Sequence, residues 1–166
     1  MLKYLLVFLI CLCGISLSAQ NTNPGFKAMI DSITDPKIPQ LRVEEFIKMD
    51  RNDVYLLDTR EKEEYEVSHL KNARNAGYFW FDMRTVYDIP FDAHIVVYCT
   101  AGGRSGKIAE KLLNAGYKNV YNLYGGIFEW INSGQPVYKQ NGAQTSEIHT
   151  YSKDWEPWVE RGTKVN

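Results

Sequence analysis

Three features of this chain predict an α/β domain built on a parallel sheet. His94-Ile95-Val96-Val97-Tyr98 is an apolar, β-branched run of the kind that lies in a sheet buried on both faces. The stretch Gly106 to Ala115 that follows places Ile108, Ala109, Leu112 and Leu113 on one helical face. The same order of buried strand and then apolar helix recurs at Val120 to Leu123 and Ile127 to Asn132. With 166 residues, 45% of them hydrophobic, the chain is sized for one core. A formal charge of −1 and the lack of a polybasic run advertise no attraction to nucleic acid.

Taken in order, the chain opens with Lys3 ahead of an uncharged run from Tyr4 to Ile15, then Ser16-Leu17-Ser18-Ala19 and the polar Gln20-Asn21-Thr22-Asn23. Residues 1–19 therefore read as a secretory signal peptide cleaved after Ala19 or nearby, which implies export to a periplasm or the extracellular space. A retained membrane anchor is the other reading, but the run falls short of the roughly 20 apolar residues of a span. A lipoprotein cysteine at Cys13 is disfavoured, because Ile10-Cys11-Leu12 lacks a small residue directly before it. Removal of the leader takes Cys11 and Cys13 with it and leaves Cys99 as the one cysteine, so no internal disulfide is expected.

Residues 20–37 read as a polar linker with one helical turn around Lys27 to Ser32, and residues 38–137 as the domain. Val43 to Ile47 is a short amphipathic helix, and Val54-Tyr55-Leu56-Leu57 a buried strand that ends at Asp58. Glu61 to Val67 reads as a short acidic helix. The aromatic stretch Tyr78 to Tyr87, with Phe79, Trp80, Phe81 and Met83, is assigned to core packing and a pocket wall. Gly125 and Gly126 allow a close turn before a helix in which Trp130 is buried, and Gly134-Gln135-Pro136 ends that helix. Residues 138–166 hold too few aliphatic side chains for a core of their own, so this tail is expected either to dock on the domain, the favoured reading, or to wander, with partner binding by its tryptophans as a further alternative.

Chemistry concentrates at Cys99-Thr100-Ala101-Gly102-Gly103-Arg104-Ser105, at the carboxyl end of a strand and the start of a helix. Open parallel sheets bind ligands at that edge. Gly102 and Gly103 let successive N–H groups turn inward as an anion-binding nest, and a helix N-terminus with a nearby guanidinium favours a thiolate. The alternative is an inert buried cysteine, which would need neither the glycine pair nor Arg104. Ser105 has a donor-contacting role open to it and, ahead of that, an N-cap role for the helix. Arg104 is assigned to anion contact.

These residues carry a family resemblance. The loop from Cys99 to Arg104, the block Asn122-Leu123-Tyr124-Gly125-Gly126-Ile127-Phe128-Glu129-Trp130 and the block Leu57-Asp58-Thr59-Arg60-Glu61 together resemble a single rhodanese domain over residues 38 to 137. Ser68-His69-Leu70-Lys71-Asn72-Ala73-Arg74-Asn75 is similar to a further family segment, with Ser68, Lys71 and Asn72 standing where the family has two glycines and a proline. The resemblance implies a three-layer rhodanese-like fold with a central parallel sheet flanked by helices. It also implies a sulfurtransferase whose catalytic Cys99 carries a persulfide, with Thr100, Ala101, Gly102, Gly103, Arg104 and Ser105 binding substrate. Asp58 and Arg60 then lie behind the loop, either as a supporting charge or, ahead of that, as an ion pair with an architectural role. His69 is a packing and hydrogen-bonding residue, and His94 a surface one.

Four residues separate Cys99 from Arg104. The phosphatases of related fold have a longer loop, so this ring suits a sulfur atom better than a tetrahedral phosphate. The expected reaction moves a sulfane sulfur from a small donor such as thiosulfate to a thiol or cyanide acceptor, with a protein thiol as a further possible acceptor. A partner-binding rhodanese module without turnover, and a phosphatase or arsenate-reductase-like enzyme, are the competing classes. No cofactor or metal motif is present, and no nucleic-acid partner or membrane span after cleavage is expected.

Overall fold

The computed structural model describes residues 23–166, so the expected signal peptide lies outside the described residues. At its centre is the strand predicted from the apolar run His94 to Tyr98. To fix the labels in chain order, the strands of the central sheet are β1 (Gln40–Leu41), β2 (Val54–Asp58), β3 (Arg74–Asn75), β4 (His94–Tyr98) and β5 (Asn119–Leu123). They lie in the order β1-β5-β4-β2-β3 and all pair in parallel. The helices are α1 (Pro24–Ile33), α2 (Val43–Phe46), α3 (Lys62–Val67), α4 (Gly103–Asn114) and α5 (Gly126–Asn132).

Alternation along β4 creates three layers. Val96 and Tyr98 point into one core with Phe26, Ile30, Phe46, Ile127 and Phe128, while Ile95 and Val97 point into the other with Ile108, Ala109 and Leu112. Successive strand side chains face opposite ways, so one apolar run feeds both cores. Thus α1, α2 and α5 cover one face and α4 the other, and the carboxyl ends of β2 and β4 meet at Asp58↔Tyr98. This edge holds Cys99.

Three sequence expectations are corrected. The segment read as a linker with one helical turn is the ten-residue helix α1, capped by the Asn23 side chain, which accepts from the Gly25 and Phe26 amides. Phe26 and Ile30, four apart on one face, insert into the core, so α1 is part of the domain. Next, the aromatic stretch after β3 is largely outside: Trp80 is 90% exposed, Phe79 68% and Tyr87 72%. The edge strand β3 leads into a turn where the Glu61 carboxylate accepts from the Tyr78 and Phe79 amides, and beyond it the Phe79 and Trp80 rings face outward. Tyr78, Phe81 and Met83 pack partly against the α4 side and Val86 is buried there, while none of the stretch lines the pocket at the Cys99 loop.

The third correction concerns Ser105, treated with the site below. Asn72, where the family has a glycine, adopts φ +65°, a left-handed conformation that asparagine tolerates better than most side chains. The tail docks as expected. Its strands β6 (Val137–Tyr138) and β7 (Gln144–Thr145) form a hairpin, while β8 (Glu147–His149) and β9 (Thr163–Val165) pair in parallel. Ile148 and Val159 are buried, and Trp155 and Trp158 pack on the core. No helix among the described residues is long and apolar enough to cross a membrane.

Candidate active site

Cys99 directly follows β4 and is 2% exposed. The loop then curls through Gly102, whose φ of +107° is left-handed, and α4 begins at Gly103. This turn brings the Gly102 amide to 3.1 Å from Cys99 Sγ, and the Ser105 hydroxyl lies 3.4 Å from the same sulfur. Both are donors at the amino end of a twelve-residue helix, where the backbone dipoles favour negative charge.

Gly102 therefore occupies the N-cap position, and Ser105 does not cap the helix. The loop closes one turn earlier than the hydroxyl suggests, because glycine reaches the left-handed conformation that a serine resists. Ser105 is instead fully buried inside the first turn of α4, donating 2.7 Å to Asn122 Oδ1. Asn122 Nδ2 donates to the Gly102 carbonyl at 3.0 Å and to Gln40 Oε1 at 3.1 Å, which ties β5 to the loop. A hydroxyl has one proton, so Ser105 bonds either Asn122 or the sulfur, and a negative sulfur draws that proton toward itself.

Arg104 is held by Glu64 and Thr100. Its guanidinium makes two 2.7 Å bonds to Glu64 on α3 and a third, also 2.7 Å, to Thr100 Oγ1. Thr100 in turn donates 3.1 Å to Glu64 Oε1. Burial raises the Glu64 pKa, but the hydrogen bonds and charge of Arg104 outweigh it and hold the carboxyl below its usual range. Behind the loop, Asp58 and Arg60 form the buried ion pair the sequence favoured, at 2.6 Å with both side chains fully enclosed. His69 is likewise structural, its ring stacked on Tyr65 at 3.9 Å with Nδ1 3.0 Å from the Tyr65 carbonyl.

The loop's outer wall is α5. The Ile127 amide donates 2.9 Å to the Cys99 carbonyl, and the Phe128 amide 3.2 Å to that of Thr100. Gly126 makes this approach possible. A Cβ there would lie 2.3 Å from the Cys99 carbonyl oxygen and 2.7 Å from that of Thr100, and its φ is +56°. Gly126→Ala is expected to destabilise the protein by at least about 2 kcal/mol, from the left-handed backbone and an immovable contact. Thermal denaturation reads this out, and an unchanged melting temperature would contradict the stated packing.

The sequence missed Glu64, Asn122, Ile33, Tyr151 and Trp155. Asn122 left a trace, as a polar residue inside an apolar strand. Glu64 was hidden among the charges of the short acidic helix. Tyr151 sits with its ring 4.9 Å from the Arg104 guanidinium carbon, a cation–π contact across more than forty residues of chain.

Tyr151 is placed there by a turn with φ +67°, in which its amide donates 3.0 Å to His149 Nδ1. Only a neutral ring accepts that bond. Burial lowers the His149 pKa, with Glu64 and Glu63 opposing and Arg60 and Arg104 adding to the effect. The stabilisation is thus complete above the ordinary value of 6.5 and is lost as pH falls through the lowered folded value. His149→Asn keeps an acceptor without a titration, so its melting temperature is expected to fall less than wild type's between about pH 8 and pH 5. Equal falls would rule out this role.

Among the described residues no group of three or more His, Cys, Asp or Glu is placed to hold a metal. Residues 43–133 match the family model described as the rhodanese-like domain. The tRNA uridine(34) hydroxylase of Pectobacterium atrosepticum is 33% identical over 121 residues, which is 66% of this chain and 34% of that protein. The chain thus spans about a third of that relative's length. A sulfurtransferase of Allochromatium vinosum is 33% identical over 93 residues, 56% of this chain and 86% of that protein. A rhodanese-related protein from Thermoplasma volcanium has a solved structure similar at TM-score 0.52 and 27% identity, covering 60% of this chain and 96% of that one.

Proposed function

This chain belongs to the rhodanese-like family, and from that membership we propose that it is a sulfurtransferase carrying a sulfane sulfur as a persulfide on Cys99. The carrying observation is the Gly102 amide and Ser105 hydroxyl converging on Cys99 Sγ at a helix N-terminus. These dipoles are fixed before any charge arrives, so they stabilise a thiolate or persulfide without reorganising. Arg104, neutralised by Glu64, holds the loop in shape rather than supplying net charge.

In the first half-reaction the Cys99 thiolate bonds to the outer sulfur of a donor. With thiosulfate, the sulfur–sulfur bond of the donor breaks and its electron pair leaves with sulfite. In the second, an acceptor thiolate or cyanide bonds to the outer sulfur and Cys99 departs as the thiolate, ready for another cycle. The reading includes export: residues 1–19 have the character of a cleaved leader, and the exported chain keeps one cysteine, the one with chemistry assigned to it. A protein thiol is as acceptable in the second step as a small one.

Intact mass spectrometry of the reduced protein before and after sulfane donors tests this. A gain of one sulfur atom that vanishes on adding cyanide is expected, and the same spectrum reports whether residues 1–19 are present. No gain with thiosulfate or an organic thiosulfonate would overturn the reading in favour of a binding module.

A further inference from the structure

The loop opens onto a pocket of about 220 Å³ whose walls come from three distant parts of the chain: Ile33 at the end of α1, Ala101 and Gly103 of the loop, and Tyr151 and Trp155 of the tail. Thr100 and Arg104 complete it. Arg104 is the one charged residue of this lining, and it is already committed to Glu64 on one side and the Tyr151 ring on the other. Arg60, behind the loop, is sealed against Asp58.

The mouth is therefore electrically neutral and mostly apolar. An inorganic dianion entering it sheds hydration and finds no unpaired cation in exchange. An apolar group gains by leaving water there. The volume suffices, since apolar cavities of about 150 Å³ take up benzene.

We propose that the sulfur donor of Cys99 is an organic sulfane compound whose aromatic or branched alkyl body rests between Ile33, Tyr151 and Trp155, in preference to inorganic thiosulfate. This rests on the sulfurtransferase reading above. For a hydropersulfide R–S–SH, the Cys99 thiolate bonds to the outer sulfur, the donor's sulfur–sulfur bond breaks, and its electron pair leaves as R–S⁻. The proton stays on the new persulfide. For an arenethiosulfonate, the sulfonyl–sulfur bond breaks instead and the electron pair leaves with arenesulfinate.

The test measures the rate of sulfur loading on the full exported chain with benzenethiosulfonate, methanethiosulfonate and thiosulfate. The two thiosulfonates share charge and reactive sulfur and differ in the body alone. Benzenethiosulfonate is expected to load about tenfold faster than methanethiosulfonate, with the ratio falling toward one in Trp155→Ala. Because Trp155 also packs on Phe128 at 6.5 Å between ring centroids, the readout is the ratio within each variant, which a loss of folded protein leaves unchanged. Ile33→Lys supplies a second check: Ile33 is 37% exposed at a helix C-terminus that favours a cation, and the added charge is expected to raise thiosulfate use relative to benzenethiosulfonate. Equal loading by the two thiosulfonates, or a ratio unmoved by Trp155→Ala, would overturn the proposal. Loading by none of the three donors would remove the sulfurtransferase reading itself, a separate result.

Discussion

Cys99→Ser is expected to lose sulfur loading down to background, on the order of 10⁴-fold or more, because no other described side chain is a thiol that can hold the sulfur. Folding should survive. The exchanged atoms are similar in size, and the serine oxygen would meet the same Gly102 amide and Ser105 hydroxyl that now face Sγ. A stability change within about 1 kcal/mol follows, measured by urea denaturation alongside the mass spectra. Full sulfur transfer by this variant would refute the covalent mechanism. Loss of loading together with loss of folding would show that Cys99 has a structural role the packing does not reveal.

Asp58→Ala has the largest expected effect on stability. Arg60 is fully buried and gives Asp58 four contacts: Nε at 3.0 and 3.2 Å, Nη2 at 2.6 Å and its own amide at 3.0 Å. Nη2 also donates 2.6 Å to the Ser68 carbonyl, but Nη1 has no hydrogen-bond partner among the described residues. Burial alone would lower the Arg60 pKa, and the neighbouring Asp58 more than reverses this, so the guanidinium stays charged. Removing Asp58 leaves that charge in the interior, at a cost of about 3–5 kcal/mol. A denaturation midpoint shifted with an unchanged slope would locate the effect in stability. A loss below about 1 kcal/mol would mean that water reaches Arg60 and the pair is not sealed. The loop should suffer too, since Thr59 beside the pair donates 2.8 Å to the Tyr98 carbonyl, directly before Cys99.

The sheet was legible because its signal is local. Ile95, Val96 and Val97 are apolar and β-branched in succession, and a strand buried on both faces needs that pattern wherever it lies in the chain. Helices α4 and α5 were legible for the same reason, their apolar residues recurring at helical spacing. Helix α1 was underestimated: it is short, its apolar residues are interrupted by Lys27, Asp31 and Ser32, and the weight of Phe26 and Ile30 comes from the core they enter. The aromatic stretch failed in the opposite sense. Phe79 and Trp80 are as apolar as any core residue, yet a turn held by Glu61 faces them outward, and composition does not record direction.

The candidate site divides along the same line. By itself the sequence determined the candidate centre, Cys99 with Gly102, Gly103 and Arg104 at a strand-to-helix junction, because thiol and loop lie within six successive residues and their geometry is short-range. It determined the Asp58–Arg60 pair as well, whose partners are two positions apart. Only the tertiary structure decided what surrounds that centre. Glu64 neutralises Arg104 from 40 positions away in the chain, and Asn122 ties down Ser105 from 17. Tyr151, Trp155 and Ile33 meet over the loop from opposite ends of the chain. Such contacts leave no periodic trace in sequence, since their energy depends on distances fixed only when both cores have closed, and they turn a general thiolate cradle into a neutral, apolar mouth.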